Sequence, residues 1–86
     1  MILRNHGLLT VGRTPAESFL AMFILERACK IQILAQSGGP QLVPVPERIL
    51  VRVASQLEIA TAGLGAQLGW PGLLRKLDRI DPSYRE

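Results

Sequence analysis

The stretch Met1-Ile-Leu-Arg-Asn-His-Gly-Leu-Leu-Thr-Val-Gly12 decides the arrangement of the chain, and it holds the single histidine, His6. A short polar break, Asn5-His6-Gly7, separates two apolar runs. Such runs, the second ending in Thr10-Val11-Gly12, predict two short strands over 1–4 and 8–12. Glycine accepts a positive φ, so Gly7 allows a sharp turn just after the histidine. We therefore expect His6 at a strand end, where a side chain is presented to a cleft.

A long first helix follows this stretch. Thr14 is a favourable N-cap, Pro15 suits the first helical position, and Glu17 completes a capping box. The predicted helix runs to about Gln36, where Ser37-Gly-Gly-Pro40 ends it.

The apolar residues of this first helix go most of the way round its axis instead of forming one stripe. A helix that is apolar nearly all round is normally buried in a larger protein or an oligomer. The other segments of this chain can cover one side of it, so part of its packing partner is expected to be missing. The residues concerned are Phe19, Leu20, Met22, Phe23, Ile24, Leu25, Ile31, Ile33 and Leu34.

Two shorter helices are predicted after a Gly- and Pro-containing connector over 38–45. The first opens at Pro46-Glu47 and ends in Ala62-Gly-Leu-Gly65. Its apolar face is formed by Ile49, Val53, Leu57 and Ala60. The last helix is predicted to begin at Trp70-Pro71 and to run to about Arg79, where Asp81-Pro82 ends it. The predicted fold class is thus an α/β fragment, a short two-stranded β element followed by about three helices.

Composition excludes several classes of protein. With 86 residues the chain forms one small domain at most, and 48% hydrophobic against 20% charged residues excludes disorder. The net charge of +3 comes from scattered bases, which argues against a nucleic-acid partner. The single cysteine, Cys29, excludes an internal disulfide and fits a cytoplasmic protein. We expect no membrane span and no secretory signal.

His6 is the one candidate for chemistry, because no phosphate loop, zinc-type Cys/His spacing or paired nucleophile is present. Three interpretations of this residue remain open. It bonds to backbone at a strand end, it acts as a lone general acid or base near neutral pH, or it is one ligand of a metal site. The third requires at least two further ligands from other chain segments.

Several motifs resemble the C-terminal part of the class II aldolase/adducin family. They are Arg4-Asn-His-Gly-Leu-Leu-Thr-Val-Gly-Arg-Thr14, Ala16-Glu17, Leu25-Glu-Arg-Ala-Cys29 and the tail from Trp70 to Tyr84. The resemblance spans nearly the whole chain and is most specific in its first third. It implies that residues 1–86 are a C-terminal segment of a three-layer α/β/α sandwich, with Met1 inside a core strand.

The resemblance also implies a site. Such proteins hold a divalent metal, usually zinc, through three histidines, and the one in the family's His-Gly turn matches His6. The other two, in an upstream His-x-His, and the upstream acid/base residue have no counterpart in this sequence. The complete form would be an aldolase or epimerase acting on sugar phosphates or related hydroxy-carbonyl compounds. The alternative is a non-catalytic, adducin-like fragment for helical interaction or oligomerisation, and the implied partners are a second copy or the missing N-terminal segment.

Overall fold

The computed structural model describes residues 1–59 and 64–85, apart from the side chains of Leu57 and Glu58. Strands β1 (Ile2–Leu3) and β2 (Gly7–Leu8) come first. Helices α1 (Pro15–Gln36), α2 (Glu47–Ile59) and α3 (Ala66–Ile80) follow, and a 3₁₀ helix over Pro82–Arg85 closes the described chain. The predicted two-stranded element followed by three helices is confirmed.

The two strands form an antiparallel hairpin. Ile2 pairs with Leu8 and Leu3 with Gly7. The pairing continues one step further, because the N–H of Leu9 donates to the carbonyl of Met1 at 2.9 Å and the terminal amine of Met1 donates to the carbonyl of Leu9 at 2.9 Å. The second strand is therefore shorter than the predicted 8–12, since the chain leaves the hairpin after Leu9 to join α1.

The turn of the hairpin consists of Arg4, Asn5 and His6. Asn5 has a φ of 59° and Gly7 a φ of 128°. The predicted positive φ at Gly7 is confirmed, and asparagine is the non-glycine residue that best tolerates the left-handed region. The N–H of His6 donates to the carbonyl of Leu3 at 3.4 Å and closes the turn.

The N-terminus of α1 is capped as predicted. Thr14 is extended and its hydroxyl accepts from the N–H of Glu17 at 3.2 Å, while Pro15 occupies the first helical position. The carboxylate of Glu17 accepts from the backbone N–H of Arg13 at 2.9 Å, one residue before the cap. The predicted end of α1 at Gln36 is also confirmed, with the hydroxyl of Ser37 donating to the carbonyl of Leu34 at 2.7 Å.

A tight junction joins the hairpin to α1. The hydroxyl of Thr10 donates to the carbonyl of Ser18 at 3.0 Å, and the hydroxyl of Ser18 donates to the carbonyl of Thr10 at 3.3 Å. Between them, Gly12 lies so close to the first turn of α1 that a Cβ would stand 2.6 Å from the backbone nitrogen of Ser18 and 2.9 Å from the Cβ of Glu17. Only glycine fits this crossing.

Helix α3 packs against α1 through aromatic side chains. The rings of Phe19 and Trp70 lie 5.6 Å apart at an angle of 59°, a tilted arrangement that aromatic pairs favour. Ala66, 6% exposed, is the one buried residue among those described. These contacts hold the first turns of α3.

The predicted start of the last helix at Trp70-Pro71 is wrong, because α3 begins at Ala66 and Pro71 lies inside it. A proline there cannot donate to the carbonyl four residues earlier, that of Gln67. The packing of Ala66 and Trp70 compensates for the lost hydrogen bond. This packing could not be predicted from the position of the proline alone. The predicted stop is confirmed, since Asp81 ends the helix.

Helix α2 begins where predicted but packs against no other helix or strand of the described chain. The half-exposed residues of its apolar face include Ile49 and Val53, which are 43% and 46% exposed. The predicted end signal, Ala62-Gly-Leu-Gly65, falls mostly outside the described residues, as does Ala60 of the predicted face.

The chain is open and elongated. It exposes 7609 Å², whereas a folded monomer of this size exposes about 5,000 Å². Its radius of gyration is 16.3 Å, against about 12 Å for a compact domain of the same length. None of the residues of α1 is buried, which agrees with the prediction that part of its packing partner is missing. No helix of the described chain is long and apolar enough to span a bilayer.

We predict that Gly12→Ala loosens the junction, since the new methyl group meets the backbone of α1. Overpacking of this kind costs about 1–3 kcal/mol. Urea unfolding followed by far-UV circular dichroism, at one fixed chain concentration, measures the loss. Gly38→Ala is the matched control, because a Cβ at Gly38 meets nothing within 4 Å. Equal unfolding midpoints for the two variants would show that the close approach is unimportant.

Candidate functional site

His6 is exposed at the tip of the hairpin, and its ring is oriented by the backbone. Its Nδ1 lies 2.9 Å from the carbonyl oxygen of Arg4. A carbonyl only accepts hydrogen bonds, so Nδ1 carries the hydrogen in this contact. In the neutral imidazole Nε2 then keeps a free lone pair. A ring nitrogen that donates to a backbone carbonyl is also the arrangement that fixes the tautomer of metal-binding histidines.

The surroundings of His6 supply no complete metal site. Within residues 1–59 and 64–85, no group of three His, Cys, Asp or Glu side chains is close enough to hold a metal ion. A zinc site needs at least three protein ligands, so the described residues do not complete one by themselves. Of the three interpretations of His6, bonding to backbone is realised in the structure, and it leaves Nε2 available for the metal interpretation.

The other residues discussed at the sequence level have structural positions. Glu17 caps α1 and pairs with Arg13, whose Nη2 lies 3.0 Å from its carboxylate, in agreement with the capping role predicted for it. Cys29 is a free, half-buried thiol on α1. It borders a shallow cavity of about 270 Å³ together with Leu8 and Ile33, as expected of a small apolar residue.

A polar cluster at the C-terminal end was not predicted. The hydroxyl of Tyr84 donates to one carboxylate oxygen of Asp78 at 2.6 Å, and the guanidinium of Arg85 donates to the other at 2.6 Å. The hydrogen bond with Tyr84 and the charge of Asp78 raise the pKa of Arg85. The helix stop at Asp81-Pro82 was the available signal, because it folds the tail back over the last turn of α3.

An open cleft lies between the N-terminal turns of α1 and α3. It has a volume of about 330 Å³, with Thr14, Pro15 and Glu17 on one side and Gln67, Trp70 and Pro71 on the other. The carboxylate in it is already engaged by Arg13, so the cleft presents little unpaired polar chemistry. His6 does not line it.

Comparison with known proteins gives the class to which the chain belongs. Residues 1–33, which include the His6 hairpin and most of α1, match the model of the class II aldolase and adducin N-terminal domain. The chain belongs to the class II aldolase/adducin family.

Two bacterial relatives match the whole chain, and an adducin matches 93% of it. A protein of Pseudomonas aeruginosa named "Putative aldolase class 2 protein" is 50% identical over 90 residues, and one of the same name from Caulobacter vibrioides is 46% identical over 87. Human gamma-adducin is 30% identical over 93 residues. The chain spans 34% of the length of each bacterial relative and 13% of the adducin. No solved structure matches it.

We predict that Arg13→Ala raises the pKa of Glu17 towards its ordinary value. Hydrogen bonds from the side chain and backbone of Arg13 lower this pKa in the folded chain. Because the folded pKa lies below the unfolded one, the stabilisation is present at neutral pH and is lost as pH falls through the folded pKa. An NMR titration of the Glu17 carboxyl carbon measures the pKa.

The same titration of Asp81 is the internal control. Its pKa is lowered by hydrogen bonding to Ser83, at the other end of the chain, and it should not respond to Arg13→Ala. An unchanged Glu17 titration in the variant would show that the ion pair does not persist in solution.

Proposed function

We propose that the chain is a C-terminal segment of a class II aldolase-type domain and that His6 is one ligand of a divalent metal, with zinc the expected ion. The observation that carries the proposal is the contact between Nδ1 of His6 and the carbonyl of Arg4 at 2.9 Å. It leaves the lone pair of Nε2 free to coordinate a metal ion at the exposed tip of the hairpin. Neutral imidazole is a ligand that zinc favours.

The hairpin supports this role, because a metal ligand must be held in a fixed position. The positive φ values of Asn5 and Gly7, the turn bond from His6 to Leu3 and the Thr10–Ser18 junction restrain the backbone on both sides of the ring. The remaining ligands and the acid/base residue belong, in this proposal, to chain segments outside these 86 residues. We therefore derive no catalytic step for the chain alone.

The complete domain is proposed to be a three-layer α/β/α sandwich with lyase or epimerase activity. A bound divalent metal would supply Lewis-acid chemistry towards a sugar phosphate or a related hydroxy-carbonyl compound. The exposed apolar surface of α1 supports a further covering layer, since Ile31 and Ile33 are 67% and 68% exposed. A cytoplasmic location is part of the proposal, because free Cys29 suits a reducing compartment.

We predict that the isolated chain binds Zn²⁺ weakly and below one equivalent, because one imidazole cannot complete a site. A chimera in which this chain replaces the matching 34% of the Pseudomonas relative should hold about one equivalent if that relative holds zinc. His6→Ala in the chimera should lower the affinity at least about tenfold. Isothermal titration and metal analysis of the purified proteins measure both quantities.

Asn5→Gly is the matched control in the same turn, since glycine keeps the φ of 59° available. It should leave zinc binding unchanged. Tight binding of one equivalent by the isolated chain would contradict an incomplete site. A chimera that keeps its zinc after His6→Ala would contradict the ligand role.

The second candidate function is a non-catalytic interaction or oligomerisation fragment, as in the adducin-like alternative. The specific observation in its favour is the apolar surface that the chain leaves open, from Ile31 and Leu34 on α1 to Ile80 on α3. For this function the chimera holds no zinc, yet the chain still associates with a partner.

A further inference from the structure

We propose that two copies of the chain associate by exchanging α2, so that the α2 of each copy lies in an apolar groove of the other. We call this groove the α1/α3 groove. Its volume is about 260 Å³, and its apolar lining consists of Phe19, Trp70, Leu73, Leu74, Leu77 and Ile80. The proposal deepens the interaction function, because it names the partner and the surface, and it is independent of metal binding by His6.

The groove has the form that receives an amphipathic helix. Along α3, Leu73, Leu77 and Ile80 follow the spacing i, i+4, i+7, and they are 41%, 39% and 69% exposed. A helix that docks in such a groove presents anchors at the same spacings. Phe19 and Trp70, whose rings lie 5.6 Å apart, both line the groove.

Helix α2 is the element of this chain that matches the groove. Its apolar face carries Ile49 and Val53 four residues apart, with Leu50 alongside, and these side chains are 43%, 46% and 49% exposed. The helix packs against no other described element. One chain thus presents a formed groove and a formed helix with a complementary face, held apart from each other. Exchange of an identical element between two copies would fill the groove and bury the apolar face of α2 at low cost.

The charges favour α2 over a second α3 as the occupant. Helix α3 exposes Arg75, Lys76 and Arg79, and its acid Asp78 is already paired with Arg85. Of these cations Lys76 lines the groove, so two α3 helices face to face would bring their Lys76 side chains together, and like charges across an interface are costly. The sequence of α2 has two acidic and two basic residues, so its net charge is zero.

The exposed area is large enough for such a dimer. The chain exposes 7609 Å² against about 5,000 Å² for a compact monomer, a surplus of about 2,600 Å². A stable interface needs about 800 Å² from each partner. Two exchanged helices per dimer, each covering one groove, use surface that a single copy leaves in water.

Sedimentation equilibrium of the 86-residue chain tests the association. We expect a dimer, and Val53→Asp should raise its dissociation constant by at least about tenfold, because it buries an unpaired carboxylate. Val53 is 46% exposed in a single copy, so the variant leaves the isolated fold intact. Val51→Asp is the control, since Val51 is 67% exposed on the opposite side of the same helix. It should leave the dissociation constant unchanged.

Cross-linking identifies the occupant of the groove. In a Cys29→Ser background, a tagged copy with Val53→Cys is mixed with an untagged copy with Leu77→Cys and treated with a short bismaleimide. A tagged–untagged product is expected. Ile31→Cys in place of Leu77→Cys is the control, because Ile31 lies outside the groove, and it should give no such product.

Three outcomes would overturn the exchange and separate it from the interaction function. A dimer that withstands Val53→Asp would keep self-association but place it on another surface. If the tagged–untagged product is absent, and a chain that carries both Val53→Cys and Leu77→Cys cross-links only internally, each copy's own α2 closes its groove. A monomer at all concentrations would remove the self-association itself, whatever the zinc chimera shows.

Discussion

The arrangement of the hairpin and the helices depends on two reciprocal hydrogen bonds between Thr10 and Ser18. Gly12 lies between these two residues in the chain and packs directly against the first turn of α1. The two hydrogen bonds tie the end of the hairpin to the first turns of α1. Helix α1 is in turn the element that both β2 and α3 contact. Together with the contact between β2 and α1, this junction fixes the direction of the hairpin that carries His6 relative to the helices. The metal-ligand proposal therefore rests on a contact several residues away from the imidazole.

The described chain buries very few side chains, and this limits what its internal contacts contribute to stability. Ala66 is the one buried residue among those described, and α1 has none. Stability then comes chiefly from local features such as the Thr14 cap, the Glu17–Arg13 pair and the Phe19–Trp70 contact. Capping groups and exposed pairs each contribute only about a kcal/mol or less. Such a chain gains more from a partner than from any further internal bond, whether that partner is the remainder of a domain or a second copy.

Local signals predicted a large part of this structure. Thr14, Pro15 and Glu17 gave the start of α1, Ser37 and the glycines after it gave its end, and Gly7 gave the turn, because each acts through its own backbone. The start of α3 was missed, since the packing of Ala66 and Trp70 against α1 outweighs the signal of Pro71. The shorter β2 was also missed because of a contact between distant residues. The hydrogen bond from Thr10 to Ser18, eight residues further along the chain, takes Thr10 out of the strand.

The candidate site was predictable only in part. The single histidine in a polar break drew attention to the right turn, and the resemblance to the aldolase/adducin family is confirmed. The orientation of the ring by the carbonyl of Arg4 depends on the φ of Asn5, which the sequence permits but does not require. The cluster of Asp78, Tyr84 and Arg85 depends on the path of the chain after Pro82.

The hairpin has a consequence for the order of folding. Its bonds join residues no more than eight apart, from Met1–Leu9 to the turn at His6. Contacts of such short range form on the order of microseconds, ahead of packing between distant elements. The orientation of the His6 ring within the hairpin thus depends on the first nine residues alone and does not wait for the packing of α1. A site assembled around it would receive this ligand already oriented, and only the remaining ligands would have to arrive.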